Sequence, residues 1–234
     1  MAEGKPVRPR DAASLILLRD GAAGLEVLIG RRGKGARFMP GRYVFPGGRI
    51  TPSDARPWLG EAKAAAGESA DPFRPLKRAA LRETFEETGL VVGRNADDQP
   101  GLVVIGRQAG SAGGDGRTPS PIEEAYRACG VAPALDLLRL VGRAITPTAS
   151  PIRFHARFFV ADGGHAAGDL APCEELDDLH WHPVDAAPPG DMQNVTKFML
   201  RCAVEAWRGA APGTPPLYWH RGDHTLVRHG SAAR

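Results

Sequence analysis

The chain has 234 residues, 42% of them hydrophobic and 24% charged, which is enough for one sizeable core or at most two small ones. Its 29 glycines and 21 prolines stay below the roughly 25–30% that marks low-complexity chains, so we expect a folded domain with several long loops. The formal net charge of +3, spread along the chain without a dense basic patch, gives no support to nucleic-acid binding.

Cysteine usage and hydropathy set further limits. Cys129, Cys173 and Cys202 are far apart and form no C-x-x-C pair, which disfavours a thiolate zinc site and a disulfide framework and favours a reducing cytoplasm. No apolar run approaches the roughly 18 residues of a membrane span. The short apolar run Ala12–Leu18 faintly resembles a signal peptide, but charged residues interrupt it on both sides and favour a first strand.

The first part of the chain predicts paired strands followed by an insertion. Runs at Ala13–Leu18 and Glu26–Ile29 flank a Gly-containing linker, which is typical of a hairpin or a loop between paired strands. A short strand at Arg42–Phe45 ends in Pro-Gly-Gly. Residues 51–70 are rich in Ala, Pro, Gly and Ser, and we expect them to form an irregular surface excursion that need not pack.

The best-defined helix comes next. It is predicted over Pro72–Thr88, with Asp71 as its N-cap and Gly89 at its C-terminal end. Mixed short strands and two good helices then give an α+β or α/β domain. The remaining predicted elements are a strand at Leu90–Val92, a short helix at Pro121–Cys129, strands at Leu138–Ile145, Arg153–Val160 and Leu179–His182, a helix at Asp191–Trp207, and a peripheral tail over 209–234.

Three carboxylates cluster on the first helix. At about 100° per residue, Glu83, Glu86 and Glu87 fall within an arc of about 100°. Arg82 stands four residues before Glu86, which is the spacing of a helical ion pair. For an isolated cluster of this kind, the simplest interpretation is a solvated acidic face.

The position of Glu87 argues against that interpretation. It projects between Leu76 and Ala80 on the apolar stripe, about 20° from each. A buried glutamate is expensive unless it is neutralised, and a divalent cation would also relieve the repulsion among the three acids. Oxygen ligands without nearby Cys or His favour Mg²⁺ or Mn²⁺ over Zn²⁺.

The carboxylate stretch resembles the signature of the Nudix hydrolases, G-x5-E-x7-R-E-U-x-E-E-x-G-U, in which U is a bulky apolar residue. Residues 82–90 match its second half, with Thr84 at the first apolar position, and Gly48 matches its first glycine. About 20 residues more lie between these two parts than the pattern allows, so the box carries an insertion. Its middle acid has no clear counterpart, because Arg74 stands at the expected distance and Glu68 is only a candidate substitute.

A second motif resembles the coenzyme A diphosphatase branch of this family, L-L-T-x-R-[SA]-x3-R-x3-G-x3-F-P-G-G. Residues 28–33 are followed at matching spacing by Arg37, Gly41 and the Phe-Pro-Gly-Gly stretch that ends at Gly48. Three positions within 28–33 depart from the motif, so the substrate is less well defined than the chemistry.

The resemblance implies a Nudix fold, an α+β protein built as an α/β/α sandwich with a mixed β-sheet flanked by helices. The implied domain is 1–208, with insertions near 51–70 and 93–134. The implied activity is metal-dependent hydrolysis of coenzyme A or acyl-CoA to 3′,5′-ADP and (acyl-)4′-phosphopantetheine. Hydrolysis of ADP-ribose, NADH or nucleotide sugars is the alternative, and a non-catalytic nucleotide-binding module is a third.

The resemblance also assigns roles to individual residues. The cofactor is Mg²⁺ or Mn²⁺, and the partner is a CoA-like nucleotide, with neither nucleic acid nor membrane involved. A cytoplasmic location is expected, and a homodimer is one expected assembly. The catalytic residues are Arg82, Glu83, Glu86 and Glu87, the metal ligands are the three glutamates with the Gly48 carbonyl and the candidate Glu175, and the substrate-binding residues are Arg32, Arg37 and Gly47.

Overall fold

The structure is a computed structural model that describes most of the chain. The described residues are 7–22, 24–61, 71–95, 118–211, 213–221 and 224–229. Glu68 and the glycine-rich part of the 93–134 segment lie outside these ranges.

Twelve strands and three α-helices are present within the described ranges. The strands are β1 (Arg10–Gly21), β2 (Gly24–Arg32), β3 (Tyr43–Val44), β4 (Gly47–Arg49), β5 (Val91–Arg94), β6 (Ala132–Pro133), β7 (Arg139–Ile145), β8 (Phe154–Asp162), β9 (Ala166–Ala167), β10 (Leu176–Pro183), β11 (Leu217–Arg221) and β12 (His224–Arg228). The helices are α1 (Arg74–Thr88), α2 (Pro121–Cys129) and α3 (Asn194–Trp207).

The main sheet is mixed. Its order is β10-β2-β1-β8-β7-β11-β12, with β3 added to β2 and β4 added to β1. The pairs β1–β8 and β7–β11 are parallel, and the others are antiparallel. A smaller sheet has the order β6-β5-β9. The predicted hairpin is confirmed, since β1 and β2 pair up to Gly21 and Gly24.

Helices cover both faces of the main sheet. Side chains alternate along β1, so Leu15 and Leu17 enter the core beneath α1 and α2, while Ile16 and Leu18 enter the core beneath α3. All four are fully buried. This burial on both faces explains the continuous apolar run in the sequence, and it confirms the predicted α/β/α sandwich.

The boundaries of the first helix differ slightly from the prediction. It begins at Arg74 rather than Pro72, and the amide of Phe73 donates to Asp71 Oδ1 at 2.8 Å, so Asp71 closes the turn before the helix instead of capping it. The C-terminal end is confirmed, because Gly89 adopts φ 77°, a left-handed conformation that glycine accepts without strain.

The expectation of an unpacked excursion is wrong for residues 51–61. Pro52–Ala55 form a 3₁₀ turn that buries Asp54 completely, and Trp58 is only 8% exposed and lies against Tyr126. Glu61 forms a buried ion pair with Arg78 at 2.7 Å. The segment packs because α1 presents arginines to it, and a buried guanidinium requires a carboxylate partner.

The C-terminal tail is also less peripheral than predicted. β11 runs parallel to β7, pairing Leu217 with Arg143, and β12 forms a hairpin with β11. Tyr218 is only 6% exposed. A Leu-Tyr-Trp run suits a strand, and here it covers an otherwise open edge of the main sheet.

None of the helices in the described ranges is long and apolar enough to span a membrane.

The packing of Trp58 gives a first prediction. Trp58→Ala should lower the free energy of unfolding by about 3–5 kcal/mol, because it removes a large buried side chain between the 51–61 segment and α2. Arg56→Ala is the matched control at an exposed position and should change stability by less than about 0.5 kcal/mol. Urea denaturation of both variants measures the difference. Equal stabilities would mean that the segment does not pack.

Candidate active site

The glycine pair of β4 and the carboxylates of α1 lie against each other. The amide of Gly47 donates to Glu87 Oε2 at 2.8 Å. A Cβ atom at Gly48 would stand 2.5 Å from the carboxyl carbon of Glu83, so only glycine permits this approach. The predicted adjacency of the glycines and the helix is therefore confirmed, although many residues separate them in sequence.

Glu87 is the most constrained carboxylate of the site. Its side chain is 3% exposed, and its Oε1 has no hydrogen-bond partner among the described residues. Arg32 Nη1 lies 3.9 Å from that oxygen, which is too long for a hydrogen bond. Burial raises the pKa of Glu87 to about 8, and the hydrogen bond from Gly47 offsets this only in part. The buried position on the helix was predicted from the sequence.

Glu83 and Glu86 share one guanidinium. Arg82 Nη1 lies 2.9 Å from Glu83 Oε1 and 2.8 Å from Glu86 Oε2. The Glu83 side chain is 14% exposed, and burial raises its pKa, whereas Glu86 is half exposed. Arg82 therefore orients two of the three acids, which extends the pairing with Glu86 that the sequence predicts.

Asp54 anchors this arginine and was missed in the sequence analysis. Its two oxygens accept from Arg82 Nε at 3.0 Å and Nη2 at 3.1 Å. Counted forward from Gly48, Asp54 occupies the place of the middle acid in G-x5-E, whereas counting back from Arg82 led to Arg74. Arg74 instead pairs with Glu61. The forward count was the signal that would have found Asp54.

The stretch that leads to Gly48 contains three arginines, Arg31, Arg32 and Arg37, and the structure brings one of them to the carboxylates. Arg32 lies 3.9 Å from both Glu87 Oε1 and Glu175 Oε2, so it connects the exposed Glu175 to the site. Arg31 is drawn away by Asp177, which it contacts at 2.7 Å. Arg37 is exposed and immediately precedes two residues that line the adjacent cleft.

A cleft of about 610 Å³ opens beside Gly47 and Gly48, and it is called the cleft from here on. Arg32, Gly48 and Glu83 line one end of it. Its remaining wall is largely aromatic and aliphatic, and includes Phe38 and Phe154. A second cavity of about 540 Å³ lies next to α3, but its described lining contains no carboxylate. The cleft is therefore the candidate active site.

Similarity to a solved structure identifies the family of this chain. No family model matches the chain. The crystal structure of a Nudix hydrolase from Alicyclobacillus acidocaldarius is 31% identical, with a TM-score of 0.58, and the match covers 84% of this chain and 92% of that one. This chain belongs to the Nudix hydrolase family.

A second similarity is shorter. A curated Caenorhabditis elegans relative, nudix hydrolase 7, is 41% identical to this chain over 86 residues. The match covers 37% of this chain and spans 23% of the relative's length. This second match supports membership of the Nudix hydrolase family and identifies no substrate.

The donor set of this Nudix hydrolase fits a divalent cation, the class of cofactor that the family generally uses. The acids offer only oxygen, and the buried Glu87 Oε1 is unsatisfied within the described residues. As placed, however, no three acidic, His or Cys side chains in the described ranges are close enough to hold a metal ion. In this arrangement Glu83 and Glu86 both pair with Arg82, so the predicted ligand set stays a prediction.

The raised pKa of Glu87 predicts a pH-dependent stability in metal-free enzyme. The unfolded carboxyl ionises near 4.5 and the folded one near 8, so between these values the folded state keeps a proton that the unfolded state has lost. Wild-type stability should therefore fall as pH rises through this window, by at most about 1.4 kcal/mol per pH unit. Glu87→Gln removes this loss, so its advantage over wild type should be larger at pH 8 than at pH 5.

Urea denaturation in the presence of a chelator measures both pH values. Glu86→Gln is the matched control, because the Glu86 carboxylate is half exposed, and it should stabilise the enzyme less than Glu87→Gln at pH 8. A Glu87→Gln advantage that is the same at both pH values would contradict the burial argument.

The two glycines should respond differently to the same methyl group. In Gly47→Ala the new Cβ would lie 2.5 Å from the carbonyl oxygen of Ala13 and 2.6 Å from Ser14 Cα, and because these are backbone atoms the fold should be destabilised. In Gly48→Ala the obstacle is the flexible carboxyl end of Glu83, so the protein should fold while kcat drops by about 10-fold or more. Thermal denaturation and kcat of both variants test this, and a fully active Gly48→Ala enzyme would show that the close approach is irrelevant.

Proposed function

We propose that the protein is a metal-dependent diphosphatase that cleaves coenzyme A or a short acyl-CoA to 3′,5′-ADP and (acyl-)4′-phosphopantetheine. The observation that carries the diphosphatase chemistry is the buried Glu87, which accepts a hydrogen bond from the amide of Gly47, a lining residue of the cleft, and whose second oxygen has no hydrogen-bond partner among the described residues. Membership of the Nudix hydrolases supports the reaction class.

Within this proposal the metal ligands are drawn from Glu83, Glu86, Glu87 and the Gly48 carbonyl, with Glu175 as a further ligand. A bound Mg²⁺ or Mn²⁺ would neutralise charge on the diphosphate and lower the pKa of a bound water. The absence of a side chain at Gly48 allows the Glu83 carboxylate to lie directly against the Gly48 backbone.

The protein's own groups position the reaction. Arg82, fixed by Asp54, holds the carboxylates of Glu83 and Glu86 at the mouth of the site. Water attacks one phosphorus atom of the diphosphate and the bridging P–O bond breaks. The other half of the substrate leaves as a phosphate monoester, so the two products are 3′,5′-ADP and 4′-phosphopantetheine. A carboxylate accepts the proton of the attacking water, and Glu83 is a candidate for this base as well as for a metal ligand.

The choice of coenzyme A is supported by sequence spacing and by arginine placement. Arg32 lies near the carboxylates, and the exposed Arg37 adjoins two lining residues of the cleft, where a substrate phosphate could meet it. A guanidinium offers a phosphate a bidentate pair of donors. In this proposal the chain forms a single domain, and the insertion in the Nudix box follows Asp54. The enzyme is expected to be a cytoplasmic homodimer, and light scattering of the purified enzyme would test the dimer.

The carboxylates give a catalytic prediction. Glu86→Gln and Glu87→Gln should each lower kcat by at least about 10²-fold, because each removes a proposed metal ligand, while both proteins remain folded. Added Mn²⁺ should raise the melting temperature of wild type more than that of either variant. Near-normal rates of both variants at saturating Mg²⁺ would refute the metal assignment.

Arg37 gives a substrate prediction. Wild type should favour coenzyme A over its 3′-dephospho form by about 10-fold in kcat/KM if Arg37 binds the 3′-phosphate, and Arg37→Ala should lose most of this preference. Arg31→Ala is the matched control, because Arg31 is engaged by Asp177 and should leave the preference intact. Equal rates on the two substrates in wild type, or faster turnover of ADP-ribose than of either, would favour the alternative substrates.

A further inference from the structure

Charge is distributed unevenly along the cleft. Its charged side chains are Arg32, Arg49, Glu83 and Glu175, counted over the lining residues that the structure describes. All four belong to the end at Gly48, where Glu83 touches the glycine and Arg32 reaches Glu87 and Glu175. The other end of the cleft is therefore an uncharged surface.

That uncharged end combines apolar walls with neutral hydrogen-bonding groups. The rings of Phe38 and Phe154 meet edge to face, with centroids 5.2 Å apart. The chain segments that complete it are the end of β7, the start of β8 and the start of α3. The apolar residues there include Ile145, Pro147, Phe158 and Val195, and the neutral polar ones are Thr146, Gln193, Asn194 and Thr196.

The C-terminal hairpin closes this end. Tyr218 and His220 project from the same face of β11 into the lining, with their ring centroids 5.6 Å apart. Thr225 of β12 pairs with His220 in register, and its Oγ1 lies 3.4 Å from His220 Nδ1. The two strands at the end of the chain thus contribute to the same cleft as the carboxylates of α1.

The two halves of coenzyme A differ in the same way as the two ends of the cleft. The pantetheine arm is uncharged and alternates amides with methyl and methylene groups. The adenosine half carries a 3′-phosphate, and moving that charge against an uncharged wall would be costly without a paired cation. Matching charge to charge therefore fixes the direction in which the substrate lies.

We propose that the uncharged end of the cleft, closed by the C-terminal hairpin, binds the pantetheine arm, and that the 3′-phosphoadenosine half lies towards the end at Gly48, where Arg32 and Arg49 line the cleft. Phe154 and His220 are then specificity-determining residues for the arm. This inference rests on the proposed function, because it assumes that coenzyme A is the substrate.

Product inhibition separates the two halves of the substrate. With coenzyme A cleavage as the assay, Phe154→Ala should raise the Ki of 4′-phosphopantetheine by about 10-fold, the expected loss from removing a partly buried aromatic side chain that lines the cleft. The Ki of 3′,5′-ADP should stay within about twofold of its wild-type value. His220→Ala should show the same selectivity with a smaller change, and it provides a second test should Phe154→Ala fold poorly.

Two controls define the outcomes. Trp219→Ala removes an aromatic side chain from the opposite face of β11, outside the described cleft lining, and should leave both Ki values unchanged. Arg49→Ala removes an arginine that lines the cleft beside Gly48, and it should raise the Ki of 3′,5′-ADP alone. A rise in the 3′,5′-ADP constant of Phe154→Ala and His220→Ala, an equal rise in both constants, or no change in either would overturn the orientation. Failure of wild type to cleave coenzyme A would instead defeat the proposed function, before any variant is compared.

Discussion

The hydrogen bond from the Gly47 amide to Glu87 is the interaction on which the arrangement of the site depends. It joins β4, an addition to β1 in the central sheet, to the last turn of α1. The contact holds α1 against β4, whereas burial raises the pKa of the carboxyl and the hydrogen bond offsets that rise only in part. Burying this acid is costly, and a bound cation or a proton would offset that cost.

A row of arginines on α1 provides the second constraint. Arg74, Arg78 and Arg82 recur every four residues and so share one face of the helix. The segment that follows β4 supplies their acids, with Glu61 pairing with the first two and Asp54 with the third. Residues 51–61, which the sequence predicted to be an unpacked excursion, therefore hold α1 in place. Through Arg82 they also position the carboxylates of Glu83 and Glu86.

Much of the fold could be predicted because its signals are local. The double-sided burial of β1 appears as an unbroken apolar run, and the end of α1 is marked by Gly89. The buried face of the helix identified Glu87 because helical periodicity is strict. The segments with weak local signals were the ones misjudged, namely residues 51–61 and the terminal hairpin, whose order depends on partners distant in sequence.

The same reasoning explains the limits of the site prediction. The adjacency of Gly48 and Glu83 could be predicted because both belong to one family motif. A motif does not give the distances or the directions of the side chains. The anchoring of Arg82 by Asp54 needed the position of the intervening chain, and the convergence of Arg32 on Glu87 needed the pairing of strands. Side-chain direction was therefore the information missing from the sequence.

The parallel pairing of β1 with β8 has a consequence for synthesis of the chain. Arg10 pairs with Phe154 and Leu18 with Asp162, so the longest strand of the sheet lacks one partner until more than half of the polypeptide has been made. Its two apolar faces also await α1 and α3. A growing chain therefore carries an open, hydrophobic strand edge for most of its translation, and the nascent protein is exposed to aggregation and chaperone binding during that interval.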